Sequence, residues 1–352
     1  MFTQMEYNGV SDLSLHQDPI TGLHAIIAIH STALGPAIGG CRFIEYPTTN
    51  DAIQDALRLA KGMSYKAALA GLPHGGGKSV IIKPNKPFDR TALMRSFGCF
   101  VEQLNGRYIT AMDSGTLTTD MDVIAESSRW VSCTSADGDP SAFTSLGVIE
   151  GIKAAVRHLF GKDNLEGIRV SIQGLGHVGM AVASHLSMEG AHLTVTDINT
   201  QRMRIAIEEF NAKAVSTEDI YAADVDIFCP CGLGAILNHK TIPLIKAQII
   251  AGSANNQLLE PQDGYALAQK GILYLPDYVI NSGGLIFVAL AHANEDQQTI
   301  YHQVLNIGHT LTRLFTESQA SGIPPFILAN QQAEAILANA ASLSKTHQRS
   351  IV

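Results

Sequence analysis

The chain has 352 residues, with 24 Lys and Arg against 32 Asp and Glu, for a net charge of −8. That length accommodates two ordinary domains, each with its own core, and an acidic balance with no basic block lacks the electrostatic footprint of a nucleic-acid binder. No run of 18 apolar residues is present, and "MFTQMEYNGV" lacks the basic start and apolar core of a signal peptide, so a cytoplasmic protein with neither a membrane nor a nucleic-acid partner is expected.

In chain order, "LHAIIAIH" at 23–30 reads as a strand, followed by a helix around 50–69 and a strand at 79–83. A helix near 88–104 and the short strand "RYITA" come next. "CTSADGDPSA", 133–142, is rich in small and turn-forming residues and marks an inter-domain break. The helix "TSLGVIEGIKAAVRHLF" follows, and then a strand–helix alternation from about 168 to 285 that predicts a parallel, doubly wound sheet. From about 296 the spacing is that of an amphipathic helix.

The expected fold is therefore α/β. It comprises an N-terminal α/β domain at 1–135, a doubly wound domain of Rossmann type at 136–324, and C-terminal helices at about 325–352 packing back on the first domain.

The five cysteines are scattered. Cys229-Pro230-Cys231 has neither zinc-knuckle nor thioredoxin spacing, and the 13 histidines show no ligand pattern. Reduced thiols and no metal are expected.

"GLPHGGGKS", 71–79, resembles a phosphate-binding loop, but Leu72 stands where the first glycine is required. The apolar strand also follows the lysine instead of preceding the glycines. The stretch reads instead as glycines that clear space around Lys78. A dinucleotide fingerprint appears later, in "IRVSIQGLGHVGMAVASHL". Gly174, Gly176 and Gly179 lie between an apolar strand and a helix, with His177 and Val178 inside the motif and His177 reading as solvent-facing in the loop. The second strand, "HLTVTD", ends in Asp197, 18 residues beyond Gly179. The glycines suit a pyrophosphate at a helix N-terminus, and an acidic residue there accepts from ribose and repels a 2′-phosphate, so NAD is expected over NADP.

The first domain carries Lys66 in "MSYKAA", Lys78 twelve residues on, and Asp113 in "ITAMDSGT". Two cations in a desolvated cleft lower one another's pKa, and a neutral lysine beside a carboxylate suits addition or removal of water at a C=N centre.

With these residues the chain resembles the glutamate, leucine, phenylalanine and valine dehydrogenases, the leucine-specific members most closely. The matching stretches, in order, are "LGPAIGGCRF", "DALRLAKGMSYKAALAGLPHGGGKSVII", "LNGRYITAMDSGT", "TSLGVIEGIKAA", "GLGHVG", "AGSANNQL" and "LPDYVINSGG". The resemblance implies NAD-dependent, reversible oxidative deamination of an L-amino acid to a 2-oxo acid and ammonia by a homo-oligomer. It implies that Lys66, with the backbone at Gly39 and Gly40, binds the substrate carboxylate, that Lys78 is the general base acting on water, and that Asp113 shuttles protons to the amino group. Thr144 and Asn255 would contact the nicotinamide end. The active site would lie in an inter-domain cleft whose closure expels water.

Where glutamate-specific members carry a lysine before the paired glycines, this chain has Ile38, which cannot satisfy a carboxylate. With Ala111, Leu285 and Val288 it implies a pocket for branched aliphatic side chains, leucine, valine and isoleucine overlapping; an aromatic (phenylalanine or tryptophan) preference is the alternative. Phe287, in the place of a usual asparagine, and Met112, beside Asp113, depart from the leucine pattern. A non-catalytic NAD-binding protein would not need all three reactive groups.

Overall fold

The computed structural model describes residues 1–349. The chain divides into two compact units, the first comprising Met1–Pro140, Leu285–Ile300 and residues from Gln332 onward, the second Ser141–Gly284 and Tyr301–Gln331. Segment 285–300, expected with the dinucleotide-binding domain, thus groups with the first unit.

The first unit opens with α1 (Phe2–Asn8), β1 (Asp12–Asp18), β2 (Leu23–Ser31), β3 (Ala37–Ile44) and α2 (Thr49–Leu69). It continues with β4 (Gly75–Ile82), α3 (Arg90–Gln103), β5 (Tyr108–Met112) and α4 (Thr118–Ala125). Its sheet has the order β1-β2-β4-β3-β5. β2 runs antiparallel to β1 and β4, and β3 parallel to β4 and β5. α2 starts where Thr48 and Asp51 form a capping box, each side chain accepting from the other's backbone N–H. Its Ile53, Ala56, Leu57 and Ala60, spaced at three and four, pack on Ile26, Ala28 and Val80 of the sheet.

β4 begins at Gly75, four residues before the expected strand, because a glycine run hides strand propensity. The glycines do not chiefly open space around Lys78. A Cβ at Gly76 would lie 2.0 Å from the Ser64 backbone nitrogen, so this glycine marks where α2 crosses β4 at close range, while one at Gly75 would meet the Ser31 carbonyl oxygen at 1.8 Å and one at Gly77 the Tyr108 ring at 2.8 Å. On the same turn, Ser64 Oγ lies 2.8 Å from His30 Nδ1. Burial, helped by Lys61, lowers the His30 imidazole to about 4. Between pH 6.5 and 4 the unfolded chain therefore binds a proton that the native state refuses, and stability falls with falling pH. His30→Asn should flatten that part of a urea-midpoint profile, by at most about 1.4 kcal/mol per pH unit. An unchanged slope would remove His30 from the cause.

The second unit begins with α5 (Ser141–Phe160), β6 (Arg169–Gln173), α6 (His177–Met188), β7 (His192–Thr196), α7 (Thr200–Phe210) and β8 (Lys213–Ala214). β9 (Ile227–Pro230), β10 (Ile249–Ile250), α8 (Pro261–Gln269), β11 (Leu273–Tyr274) and α9 (Asp277–Ile280) follow. Its six strands are all parallel, in the order β11-β10-β9-β6-β7-β8. The order reverses at β6, which marks the ligand crevice of doubly wound sheets. The expected regular alternation lapses around β9, where short 3₁₀ turns at Asp219–Ala222 and Ile242–Leu244 replace helices. Phe228, Leu237, Ile250 and Leu267 build the core on that side with Phe326.

The chain ends in α10 (Gly283–His292), α11 (Gln297–Ser321) and α12 (Pro325–Arg349). Within the first unit, Glu334 of α12 accepts from the Tyr65 hydroxyl at 2.5 Å. Among the described residues no helix is long and apolar enough to cross a membrane.

Candidate active site

Strand pairing builds the reactive centre of the first unit. β3 aligns Cys41 with Ser79 of β4 and Gly40 with Ala111 of β5, which sets Lys78, Gly40 and the end of β5 side by side. Asp113 follows β5 in a tight turn, its N–H donating to Thr116 Oγ1 at 2.9 Å, while the Thr116 hydroxyl donates to the Cys41 carbonyl at 3.0 Å. A Cβ at residue 40 would come within 2.7 Å of Asp113 Cβ, so glycine there is what admits the carboxylate. The Tyr108 hydroxyl donates to the Gly39 carbonyl at 2.7 Å and fixes the backbone before the paired glycines turn toward Asp113.

Lys78 is buried, and its Nζ lies 2.7 Å from Asp113 Oδ2. The charge directly against the amine is thus a carboxylate. Arg42, reached from β3 two residues past Gly40, places Nε 3.2 Å from the same oxygen and Nη1 2.7 Å from Asp55 Oδ2. The Tyr46 hydroxyl donates to Asp55 at 2.6 Å. Burial acts to raise the Asp113 carboxyl, but the Lys78 ammonium and the Arg42 guanidinium outweigh it and hold the group well below the ordinary carboxylate range. Asp113 is therefore an anion at every working pH. Burial also pushes the neighbouring Cys41 thiol up to about 12, so it is not a nucleophile here.

Arg42, Asp55 and Tyr46 were not singled out in the sequence. Arg42 stands in the quoted stretch "PAIGGCRF", and strand alternation from Gly40 would have placed it on the same face. Asp55 could not have been found that way, because α2 is separated from β3 by a loop.

The other expected substrate residues lie in the same unit. Lys66 is half-buried on the last turn of α2, two residues beyond the crossing at Ser64. Ile38 in β3 and Ala111 in β5 are buried. Leu285 and Val288, three residues apart on α10, are buried too, and the Val288 carbonyl accepts from Ser132 Oγ at 3.1 Å. Phe287 is a buried residue of that helix and Met112 is half-buried.

In the second unit Gly174 follows β6 with φ +95°, and a Cβ at Gly179 would meet the Gly174 carbonyl oxygen at 2.0 Å. Gly176 starts α6 with no side-chain cap. His177, expected in the loop, is the first residue of α6 and is exposed, while Val178 is half-buried. Asp197 follows β7 and accepts from the Leu175 N–H at 2.6 Å and the Asn199 N–H at 2.7 Å, so it also clamps the glycine turn. Asn255 Oδ1 accepts from Asn281 Nδ2 at 2.8 Å, and Thr144 is half-buried in the first turn of α5.

Gly176 tests whether this turn fits a dinucleotide. Its φ of −67° suits any residue, and a Cβ there would meet no protein atom within 4 Å. Nothing inside the protein demands glycine. A phosphate resting on the uncapped helix start would, and the turn fits such a group.

A Rossmann-type unit joined to an α/β unit in which a buried lysine meets a half-buried aspartate defines a two-domain oxidoreductase. Residues 10–130 match the family described as Glu/Leu/Phe/Val dehydrogenase, dimerisation domain, and residues 193–317 match Glutamate/Leucine/Phenylalanine/Valine dehydrogenase. The chain belongs to this family of amino acid dehydrogenases.

It is 46% identical to a leucine dehydrogenase of Geobacillus stearothermophilus over 338 residues, 95% of this chain and 92% of that one. It is 43% identical to a valine dehydrogenase of Streptomyces albus, covering 95% of this chain and 94% of that one. Among solved structures it resembles L-tryptophan dehydrogenase from Nostoc punctiforme, with 42% identity and a TM-score of 0.83 over 97% of this chain and 99% of that one.

Proposed function

We propose that the protein catalyses the NAD-dependent, reversible oxidative deamination of a branched-chain aliphatic L-amino acid, leucine first, to the 2-oxo acid and ammonia. The pairing of buried Lys78 with Asp113 carries the reading. Asp113, held as an anion, takes a proton from the substrate ammonium and frees the nitrogen lone pair. Bound NAD supplies the acceptor for the α-hydrogen as hydride. Lys78, having released a proton to solvent, takes one from the water whose hydroxide adds to the imine carbon. Asp113 then gives its proton to the nitrogen and accepts the one leaving the carbinol hydroxyl as the C–N bond breaks and ammonia departs. Lys66, with the backbone at Gly39 and Gly40, holds the substrate carboxylate.

NAD would lie on Gly174, Gly176, His177, Val178 and Gly179, with ribose on Asp197 and the nicotinamide end near Thr144 and Asn255. The carboxylate of Asp197 keeps spare lone pairs for ribose hydroxyls and repels a 2′-phosphate. Asp197→Ser should raise kcat/KM for NADP relative to NAD by about tenfold, a change of about 1.4 kcal/mol; an unchanged ratio would remove Asp197 from cofactor choice.

Ile38, Ala111, Leu285 and Val288 offer the side-chain pocket only apolar groups, which reject a second carboxylate. The leucine and valine dehydrogenases among the relatives favour an aliphatic substrate. The likeness to a tryptophan dehydrogenase keeps an aromatic substrate as the second reading. NADH absorbance across a panel of L-amino acids, and across 2-oxo acids with ammonia, decides between them. Leucine should lead, with valine and isoleucine within about 1–3 kcal/mol of it. A clear preference for phenylalanine or tryptophan would overturn the aliphatic reading, and no turnover of any amino acid would overturn both. A cytoplasmic homo-oligomer is the expected setting.

A further inference from the structure

The second unit contains a thiol pair for which deamination has no use. Cys229 lies in β9 and Cys231 just past its end, so two-residue alternation puts both side chains on one side. Their sulfurs are 3.6 Å apart. Cys229 is fully buried, whereas Cys231 is partly exposed and is the one a reagent in solution reaches first.

Cys231 also packs under the glycine turn. Its N–H donates to the Gln173 carbonyl at 2.8 Å, at the residue before Gly174. A Cβ at Gly179 would lie 3.1 Å from Cys231 Cβ, and one at Gly174 would lie 3.0 Å from the Cys231 carbonyl carbon. The turn and the thiol thus have no slack between them. The Cys229 thiol, donating to its neighbour, and Ser253 lower the Cys231 thiol below its ordinary range, which favours the nucleophilic thiolate at the more accessible sulfur.

We propose that Cys229 and Cys231 form a reversible disulfide, by exchange with a low-molecular-weight disulfide such as oxidised glutathione, and that closing it distorts the glycine turn and weakens dinucleotide binding. The second clause rests on reading that turn as the NAD site. In the first step the Cys231 thiolate attacks one sulfur of oxidised glutathione, forming a mixed disulfide and expelling one glutathione thiolate. In the second, Cys229 loses its proton to solvent and attacks the Cys231 sulfur, forming the protein disulfide and expelling the second glutathione. Two protein thiols are oxidised and one small disulfide is reduced to two thiols.

In an extended strand, residues two apart have Cα atoms about 6.6 Å apart, near the upper limit for a disulfide. Closure therefore draws Cys231 toward Cys229, against its bond to Gln173 and its packing on Gly174 and Gly179. A bond closed under such strain is readily reduced, which suits a regulatory disulfide better than a structural one.

The test uses the full-length Cys99→Ser protein, which lacks the exposed thiol, incubated with oxidised glutathione. Intact mass should fall by two hydrogens, peptide mapping should place the bond between 229 and 231, and NAD binding followed by calorimetry should weaken about tenfold. Dithiothreitol should reverse both changes. Adding Cys229→Ser should stop the reaction at a glutathione adduct on Cys231. Both thiols remaining titratable after treatment would overturn the proposal, as would a closed disulfide with unchanged NAD affinity. Failure of the reduced protein to bind NAD would instead overturn the cofactor reading and with it the coupling, while the mass measurement still decides whether the disulfide forms.

Discussion

Replacing Lys78 by alanine should lower kcat for oxidative deamination by about a thousandfold, within the range of about 10²–10⁴ that a positioned acid–base group supplies. KM for the amino acid should change little, because carboxylate binding is assigned to Lys66. Lys78→Arg separates proton transfer from simple charge. Arginine keeps the positive partner of Asp113 and does not give up its proton. It should preserve NAD binding and the folded state while leaving kcat nearly as low as in Lys78→Ala. A kcat within about tenfold of the parent in Lys78→Arg would mean that charge alone, and no proton transfer at Lys78, serves the reaction.

Asp113 has the second large effect, on stability as well as rate. Asp113→Asn keeps the shape and removes the base, and should reduce kcat by about 10²–10³. Asp113→Leu also leaves Lys78 facing an apolar group and Arg42 with Asp55 as its remaining carboxylate. An uncompensated buried charge costs about 3–5 kcal/mol, and the partial exposure of Asp113 puts this site at the lower end. Because Lys78 and Arg42 depress the carboxyl, the stability it contributes is fully present above the ordinary Asp range. It is lost only as pH falls through the lower folded value. The difference in urea midpoint between the parent and Asp113→Asn should therefore stay constant from pH 5 to 8. A difference that shrinks within that window would show the carboxyl titrating there.

The periodic elements were legible because burial writes itself into residue spacing: α2 from its apolar residues at three and four, β2 from an unbroken apolar run, β6 and β7 from short apolar stretches around glycines. β4 was read four residues late, since Gly75–Gly77 carry no side chains to betray a strand. Their necessity comes from Ser31 at Gly75, Ser64 at Gly76 and Tyr108 at Gly77, and no local pattern records those contacts. The same applies within the site. Lys78 and Asp113 stood out as reactive groups in unusual settings, whereas Arg42, Asp55 and Tyr46 became visible only once β3 was laid beside β4 and α2 across them. At Asp197 the fingerprint indicated a contact to ribose; the hydrogen bond from Leu175 shows a second task, holding the turn itself.

The discontinuity of the first unit has a consequence during synthesis. Its last portion begins at Gln332, some 190 residues after Pro140 closes the first. At about 5–20 residues per second, a ribosome needs roughly 10–40 s to supply them. Until then Tyr65 lacks the Glu334 carboxylate it meets in the folded unit, and α10, with Leu285 and Val288, arrives only about three quarters of the way through that wait. The reactive lysine and aspartate are made early in their unit, yet that unit is completed only by α12, some 220 residues after Asp113.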